Sequence, residues 1–311
     1  MSNSELRPLV TVCIITYNSS KFIIEALDSV FEQTYQNIEL IVSDDCSQDN
    51  TVELCRQWMA THAQRFVHAE VLTVEKNTGV SANCNRAIRK GTGEYIKLFA
   101  GDDKLLPNCI EDNIRYMLEH EDTDLEFSDM QVIGEGQDGK NINGPRIYFN
   151  HFTKFEFKIW QLVYALLPAP TCCMTREVYN RLGGFDEEIA FMEDKPFWVK
   201  AIFADCVIHY MPITTVQYRV TPNSLSQAKH SDNYHKMKES RKVASNYFLS
   251  KMREISWWLW LYRKSCYDKE FNPSKQTYSL YTLRFFNPYY YYLKYLFYKL
   301  RFFQKCKGYK G

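Results

Sequence analysis

Apolar runs that stop at acids or amides constrain this chain more than any other feature. Residues 9–16, Leu-Val-Thr-Val-Cys-Ile-Ile-Thr, form a continuous β-branched run, as a strand buried on both faces requires. It stops at Thr16-Tyr17-Asn18, the run 38–44 stops at Asp44-Asp45, and the run 93–100 stops at Gly101-Asp102-Asp103. Residues 67–74 read as a further strand. Helical spacing separates these runs. Phe22, Ile23, Ala26, Leu27, Val30 and Phe31 share one side of a helix over 20–33. A second helix starts near Asp49-Asn50-Thr51, whose short polar side chains suit a cap, and a third covers about 80–90. Repeated β-α-β-α order with short connections implies a parallel, doubly wound α/β sheet, with its ligand site at the carboxyl ends of the strands.

The acids at those ends need a partner. Two adjacent carboxylates such as Asp102-Asp103 are costly to hold together without a cation between them. A hard divalent ion, Mg²⁺ or Mn²⁺, with oxygen ligands and a bridge to substrate phosphates is the expected occupant. Beyond Asp103 the pattern loosens. A helix over about 107–120, a strand over 125–132, helices over 155–167 and 194–204 and an extended run over 206–220 are expected. The polar, Gly-rich stretch 134–146 has the composition of a flap over a site. A second acidic pair, Glu193-Asp194, opens the helix at 194.

Charge divides the chain. Residues 229–311 hold 18 Lys+Arg against 5 Asp+Glu, a net of +13, while residues 1–228 hold 20 against 32, a net of −12. An acidic body with a basic tail suggests two jobs, a catalytic domain over 1–228 and a helical extension over 229–311. The acidic body would repel a phosphate backbone, which argues against a nucleic-acid partner. The ten cysteines have no metal-type spacing and read as buried free thiols of a reducing compartment. No apolar core of a signal peptide opens the chain, and no apolar run reaches the ~18 residues of a spanning helix. The expected address is cytoplasmic, on the inner face of the cell membrane if the tail docks there.

The motifs resemble those of the family 2 glycosyltransferases, inverting enzymes with a nucleotide-diphospho-sugar-binding α/β fold. The matching stretches are Val10-Thr-Val-Cys-Ile-Ile-Thr-Tyr-Asn18, Ile41-Val-Ser-Asp-Asp-Cys-Ser-Gln-Asp-Asn-Thr51, Lys76-Asn-Thr-Gly-Val-Ser-Ala-Asn-Cys-Asn85 and Gly93-Glu-Tyr-Ile-Lys-Leu-Phe-Ala-Gly-Asp-Asp103. Leu182-Gly-Gly-Phe-Asp-Glu187 and Glu193-Asp194 followed by Phe197-Trp198 come next, so the resemblance covers about 9–225. It implies a GT-A-like, mostly parallel sheet flanked by helices, followed by the aromatic and basic helical extension.

The resemblance also implies roles. Asp45, beside Asp44, would accept a hydrogen bond from the nucleobase, with Thr16, Tyr17 and Asn18 lining the same pocket. Asp45 alternatively reads as a turn acid for the helix near 50. Asn77 and Gly79 sit in a turn whose following helix N-terminus favours phosphate, although a plain turn and cap reads equally well. Asp103 would be the metal ligand, with Asp102 on the ribose or a metal-bound water. Asp194, with Glu193 beside it, would be the general base for the acceptor hydroxyl, and Trp198 reads as a sugar-ring floor or as core. Arg219, in Tyr218-Arg219 near Ser224, would approach the diphosphate. Many family members carry a His shortly after that Arg; here none precedes His230, which leaves a third metal ligand unassigned.

The implied activity is transfer of one sugar, with inversion, from a nucleotide-diphospho-sugar, UDP-sugars favoured. The acceptor would be a hydroxyl of a glycan or polyprenyl-linked glycan in surface polysaccharide or lipopolysaccharide assembly. A sugar nucleotidyltransferase is disfavoured because Tyr17-Asn-Ser-Ser-Lys21 has no Gly and one Lys. A dehydrogenase lacks its G-x-G-x-x-G after strand one. A non-catalytic binding or scaffold protein would not need both acidic pairs. Residues 257–264 and 284–303, rich in Tyr, Trp, Lys and Arg, suit the headgroup zone of an anionic leaflet, or else pack on the catalytic body or a second copy.

Overall fold

The computed structural model describes residues 7–134, 139–142, 149, 151–164, 167–221, 232–271 and 287–306. Most of the expected flap, Ser224 and His230 lie outside the described residues. The first half alternates as its periodicity requires: β1 (Val10–Thr16), α1 (Ile23–Phe31), β2 (Ile38–Asp44), α2 (Thr51–His62), β3 (His68–Thr73), α3 (Val80–Lys90) and β4 (Tyr95–Ala100). β2, β1 and β4 are adjacent and parallel, with Thr16 opposite Asp44 and Ile15 opposite Ala100, so their acid-bearing ends share one edge. β3 completes this parallel block beside β2.

Both faces of the central strands are apolar because both are covered. Val10, Val12 and Ile14 of β1 point to one side, onto Ile23, Leu27 and Val30 of α1 and Trp58 of α2. Cys13 and Ile41 point to the other, onto Cys84, Ala87 and Ile88 of α3. This period-2 division of an unbroken apolar run is what a doubly covered parallel strand demands.

The second half departs from pure doubly wound topology. It contains β5 (Lys104–Leu105), α4 (Cys109–Glu119), β6 (Leu125–Ile133), β7 (Lys140–Ile142), α5 (Lys154–Val163), β8 (Cys173–Thr175), α6 (Arg176–Arg181), α7 (Asp194–Phe203) and β9 (Ile208–Arg219). The sheet order is β3-β2-β1-β4-β8-β6-β9-β5, with β7 on β6. The three-residue β8 lies antiparallel between β4 and β6, and β9 then runs parallel to β6. Three residues carry too little periodicity to be read as a strand. The short β5 pairs antiparallel with β9, Lys104 opposite Gln217, which carries Arg219 to the carboxyl end of β4.

The extension is helical: α8 (Asp232–Ile255), α9 (Trp257–Phe271) and α10 (Pro288–Cys306). It packs on the α/β body through its own core. Ala244, Phe248 and Met252 of α8, Leu259 of α9 and Leu293 and Leu296 of α10 meet Ile159 and Leu162 of α5, Ile189, and Val199 of α7. Lys299 donates to both oxygens of Glu156 at 2.8 and 2.9 Å, joining α10 to the first turn of α5. None of the described helices is long and apolar enough to cross a membrane. The nine cysteines whose side chains are described are unpaired thiols, six of them buried.

Candidate active site

The loops after β1 and β2 are tied together before any ligand arrives. Asn18 has a left-handed backbone (φ 52°), which an Asn tolerates better than most residues. Its backbone N–H donates to Ser47 Oγ, and its side-chain oxygen accepts from Gln48 N, both at 2.8 Å. Asp44 accepts from Thr16 Oγ1 and Ser47 N, each at 2.8 Å, and from Ser47 Oγ at 2.5 Å. Asp49 accepts from Thr51 N and Ser20 N, which ties the start of α2 to the loop before α1. Thr16, Asp44 and Asn18 therefore hold these loops together instead of presenting open polar groups. Tyr17 is 44% exposed and leaves its ring on the surface of these loops.

Asp45 is buried and turned towards α3. Its carboxylate accepts from Thr78 N at 3.0 Å, Thr78 Oγ1 at 2.6 Å and Gly79 N at 2.7 Å. Arg86 adds a charged donor at 3.1 Å. Asn77 Nδ2 donates to the Asp45 carbonyl at 3.2 Å. Asp45 thus shapes the turn at 77–79 and is not the turn acid for the helix at 51. These donors fill the roughly four lone-pair sites of a carboxylate, so a nucleobase would have to displace one of them to bond Asp45 directly.

Gly79 is required here. Its φ is +91°, and a Cβ would stand 2.7 Å from the Ala190 Cβ and 2.9 Å from the Ala190 carbonyl. The same carbonyl accepts from Ser81 N at 3.2 Å, and Ser81 Oγ donates to the Ile189 carbonyl at 2.7 Å. This corrects one expectation. The first turn of α3 is already engaged by Asp45 and the 189–190 backbone, so its amides at 78, 79 and 81 are not an open phosphate cradle. Instead, this contact brings the segment ahead of Glu193-Asp194 to the Asp45 loop.

At the end of β4, Asp103 is 1% exposed and accepts from Arg219 N at 2.8 Å. Burial pushes the carboxyl of Asp102 above its usual range; burial and then the Asp102 charge push Asp103 well above it. Arg219 donates through Nε to the Asp102 carbonyl at 2.9 Å and through Nη2 to Glu25 at 2.8 Å, with its guanidinium 4.3 Å from the Phe22 ring centroid. Lys104 pairs with Glu25 at 3.6 Å and not with the acid pair. Among the described residues no group of three His, Cys, Asp or Glu side chains converges as a closed metal site. The donors at hand, two crowded carboxylates with raised pKa values, fit a hard divalent cation that takes its remaining ligands from phosphate and water.

Glu193 and Asp194 stand at the start of α7. Burial, then the neighbouring Asp194 charge, raises the Glu193 pKa to about 8. Burial also raises Asp194, whose Oδ1 accepts from Lys195 N at 2.6 Å. A carboxylate tuned upward in this way is suited to take a proton near neutral pH. Trp198 is resolved against the sugar-floor reading: it is 3% exposed, edge-to-face with Phe127 and Phe197, and belongs to the core.

Two contributors escaped the sequence reading. Arg86 of α3 bonds Ser43, Asn83 and Asp45 together from below the β2 end. Ser240 of α8, which is buried, accepts from Phe191 N at 3.2 Å, while Lys195 Nζ lies 4.7 Å from the Phe248 ring centroid, so the extension backs the second acid pair. No local spacing announces either, since each acts across the fold.

Known proteins resemble this chain in sequence and in fold. The sequence model described as Glycosyl transferase family 2 matches residues 11–183. The chain belongs to that family. An uncharacterised glycosyltransferase of Methanocaldococcus jannaschii is 27% identical over 246 residues, 78% of this chain and 79% of its own. Bacillus subtilis TuaG, named for teichuronic acid biosynthesis, is 26% identical over 227 residues, 72% and 83% of the two chains. The Staphylococcus aureus TarS fragment solved with UDP-GlcNAc superposes with a TM-score of 0.56 at 20% identity, covering 81% of this chain and 78% of that one. Pyrobaculum calidifontis mannosyltransferase PcManGT, solved with GDP-Man and Mn²⁺, gives 0.55 at 18% identity over 80% and 76%. The chain spans 41% of the longer TarS chain. At such identities the structural likeness speaks for the GT-A-like fold.

Proposed function

We propose that this glycosyltransferase moves one sugar, with inversion, from a UDP-sugar to a hydroxyl of a glycan or lipid-linked glycan in surface polysaccharide assembly. The observation that carries the reading is the presence of two acid pairs whose pKa values burial raises, Asp102-Asp103 after β4 and Glu193-Asp194 at the start of α7. The names of TarS with UDP-GlcNAc and of TuaG support the donor and the product class.

In this reading the nucleotide rests on the walls that Asp44 and Asp45 organise, with Tyr17 against the base and Asn77 and Gly79 lining the turn opposite. Asp103, with Asp102, would hold a divalent cation, which when bound neutralises the charge of the leaving diphosphate. Arg219 closes the same rim, held by Glu25 and the Asp102 carbonyl. Asp194 takes the proton of the acceptor hydroxyl as it attacks the anomeric carbon on the face opposite the diphosphate. The carbon–oxygen bond to the acceptor forms as the bond to the diphosphate breaks, which inverts the centre without a sugar–enzyme intermediate.

The test is calorimetry of UDP- and GDP-sugars with and without Mg²⁺ or Mn²⁺, on wild type and Asp103→Ala. Metal-dependent UDP-sugar binding that the variant loses supports the reading. Unchanged affinity and unchanged metal dependence in Asp103→Ala would remove Asp103 from the site.

A further inference from the structure

The aromatic, basic stretch near the C-terminus does not use all its sides for packing. On α10 the stripe Leu293 and Leu296 is buried, and Lys299 of the same side holds Glu156. The other side carries Tyr291, Lys294, Tyr295 and Tyr298, all exposed, at the i, i+3, i+4, i+7 spacing of one helix face. The three tyrosines are 55%, 53% and 55% exposed, and Phe297 beside them is 46% exposed. Trp257 and Trp258, at the start of α9, are 54% and 45% exposed. Asn287 donates to the Trp258 carbonyl at 2.7 Å, which sets the first turns of α9 and α10 side by side. An anchored helix thus turns a row of large amphipathic rings outward.

We infer that this face, Trp257 and Trp258 with Tyr291, Lys294, Tyr295 and Tyr298, docks the enzyme on an anionic membrane surface. Charge selects that partner. α10 contains four Lys or Arg and no acid, with Lys294 on this face and Lys299 on the packed side, and the whole extension carries the +13 net charge noted above. A second copy docked face to face would bring two such basic extensions together, which their repulsion opposes. An anionic leaflet attracts them instead. Tyr and Trp rings stand at the headgroup level with their polar atoms in water, and Lys reaches the lipid phosphates. The buried side of α10 makes the orientation specific, because the helix cannot roll its Leu stripe towards lipid without leaving α5. Docking deepens the proposed function by placing the sugar-transfer site beside a lipid-linked acceptor, yet it is read independently of transfer.

The test uses the full chain with vesicles of phosphatidylcholine alone and vesicles containing phosphatidylglycerol. Co-sedimentation should require the anionic lipid and weaken with salt. Lys294→Glu changes the charge by two and should lower partitioning by more than the roughly fivefold expected for one lost charge. The triple variant Tyr291→Ser, Tyr295→Ser, Tyr298→Ser should abolish it. Both variants should keep the wild-type melting temperature and UDP-sugar affinity, since these side chains point away from the body. Equal partitioning of wild type and both variants overturns the inference. So does a concentration-dependent dimer that the triple variant dissociates, which would assign the face to a second copy. If vesicles bind as expected but no sugar moves, the donor reading fails while the docking face stands.

Discussion

At the residue scale the proposed chemistry rests on carboxylates whose surroundings work against their charge. Asp194→Asn keeps shape and hydrogen bonding but cannot accept a proton. Transfer should fall roughly 10²–10⁴-fold with UDP-sugar affinity nearly unchanged, and Glu193→Gln should cost less. A near wild-type rate in Asp194→Asn, or a greater loss in Glu193→Gln, would reassign the base. A different buried acid reports on stability. Glu126 of β6 is fully buried, with Oε2 bonded to Asn113 at 2.7 Å and Oε1 without a partner among the described residues. Burial raises its pKa from 4.5 to about 8. Between those values the unfolded chain gives up this proton while the folded chain keeps it, so its contribution to stability is full below 4.5 and is lost as pH rises towards 8. Glu126→Gln cannot ionise, so melting curves should show the variant gaining on wild type as pH rises through that window. A constant difference across it would contradict the assignment.

At the element scale the decisive device is the entry turn of α3. Asp45 receives its amides, Gly79 admits Ala190 at a distance no side chain would allow, and Ser81 holds Ile189. On the far side of the same segment, α8 presents Ser240 to Phe191. The segment leading to Glu193-Asp194 is therefore gripped between the Asp45 loop and the extension. Gly79→Ala has to strain both the backbone and this contact. It should cost about 1–3 kcal/mol in urea denaturation and weaken UDP-sugar binding as well. A loss within ~0.5 kcal/mol of wild type, the range of an ordinary surface substitution, would show that the turn can rearrange.

At the scale of the whole molecule the extension and the α/β body form one packed unit despite their opposite net charges. Ile159 and Leu162 of α5 and Val199 of α7 share a core with α8, α9 and α10. The Lys299–Glu156 pair crosses that boundary with side chains 19% and 9% exposed. Glu156 is also the far half of a capping box with Thr153, so it keeps partners when Lys299 is lost. Lys299→Met should accordingly cost about 1 kcal/mol, nearer the value of an exposed pair than of a sealed one. The loss should appear in chemical denaturation together with faster proteolysis of α10. Unchanged stability and unchanged proteolysis would show that apolar packing alone holds the extension.

What the chain determined by itself was everything local. The apolar runs set β1, β2 and β4, the 3.6-residue spacing set α1 and α3, and the acids that end the runs had to fall at one edge because parallel strands all point the same way. The candidate site was legible for that reason. Tertiary structure alone decided which of those acids stay open. Asp45 and Gly79 lie 34 residues apart and Asp103 and Arg219 lie 116 apart, and such pairings depend on sheet order, which periodicity does not encode. The three-residue β8 breaks the parallel order for the same reason, since its antiparallel place between β4 and β6 is a matter of neighbours. The tail shows the division most plainly. Composition announced aromatic rings and basic charge, but only the fit of Leu293 and Leu296 onto α5 decided which rings remain in water, because burial is a property of what packs against a residue and not of the residue itself.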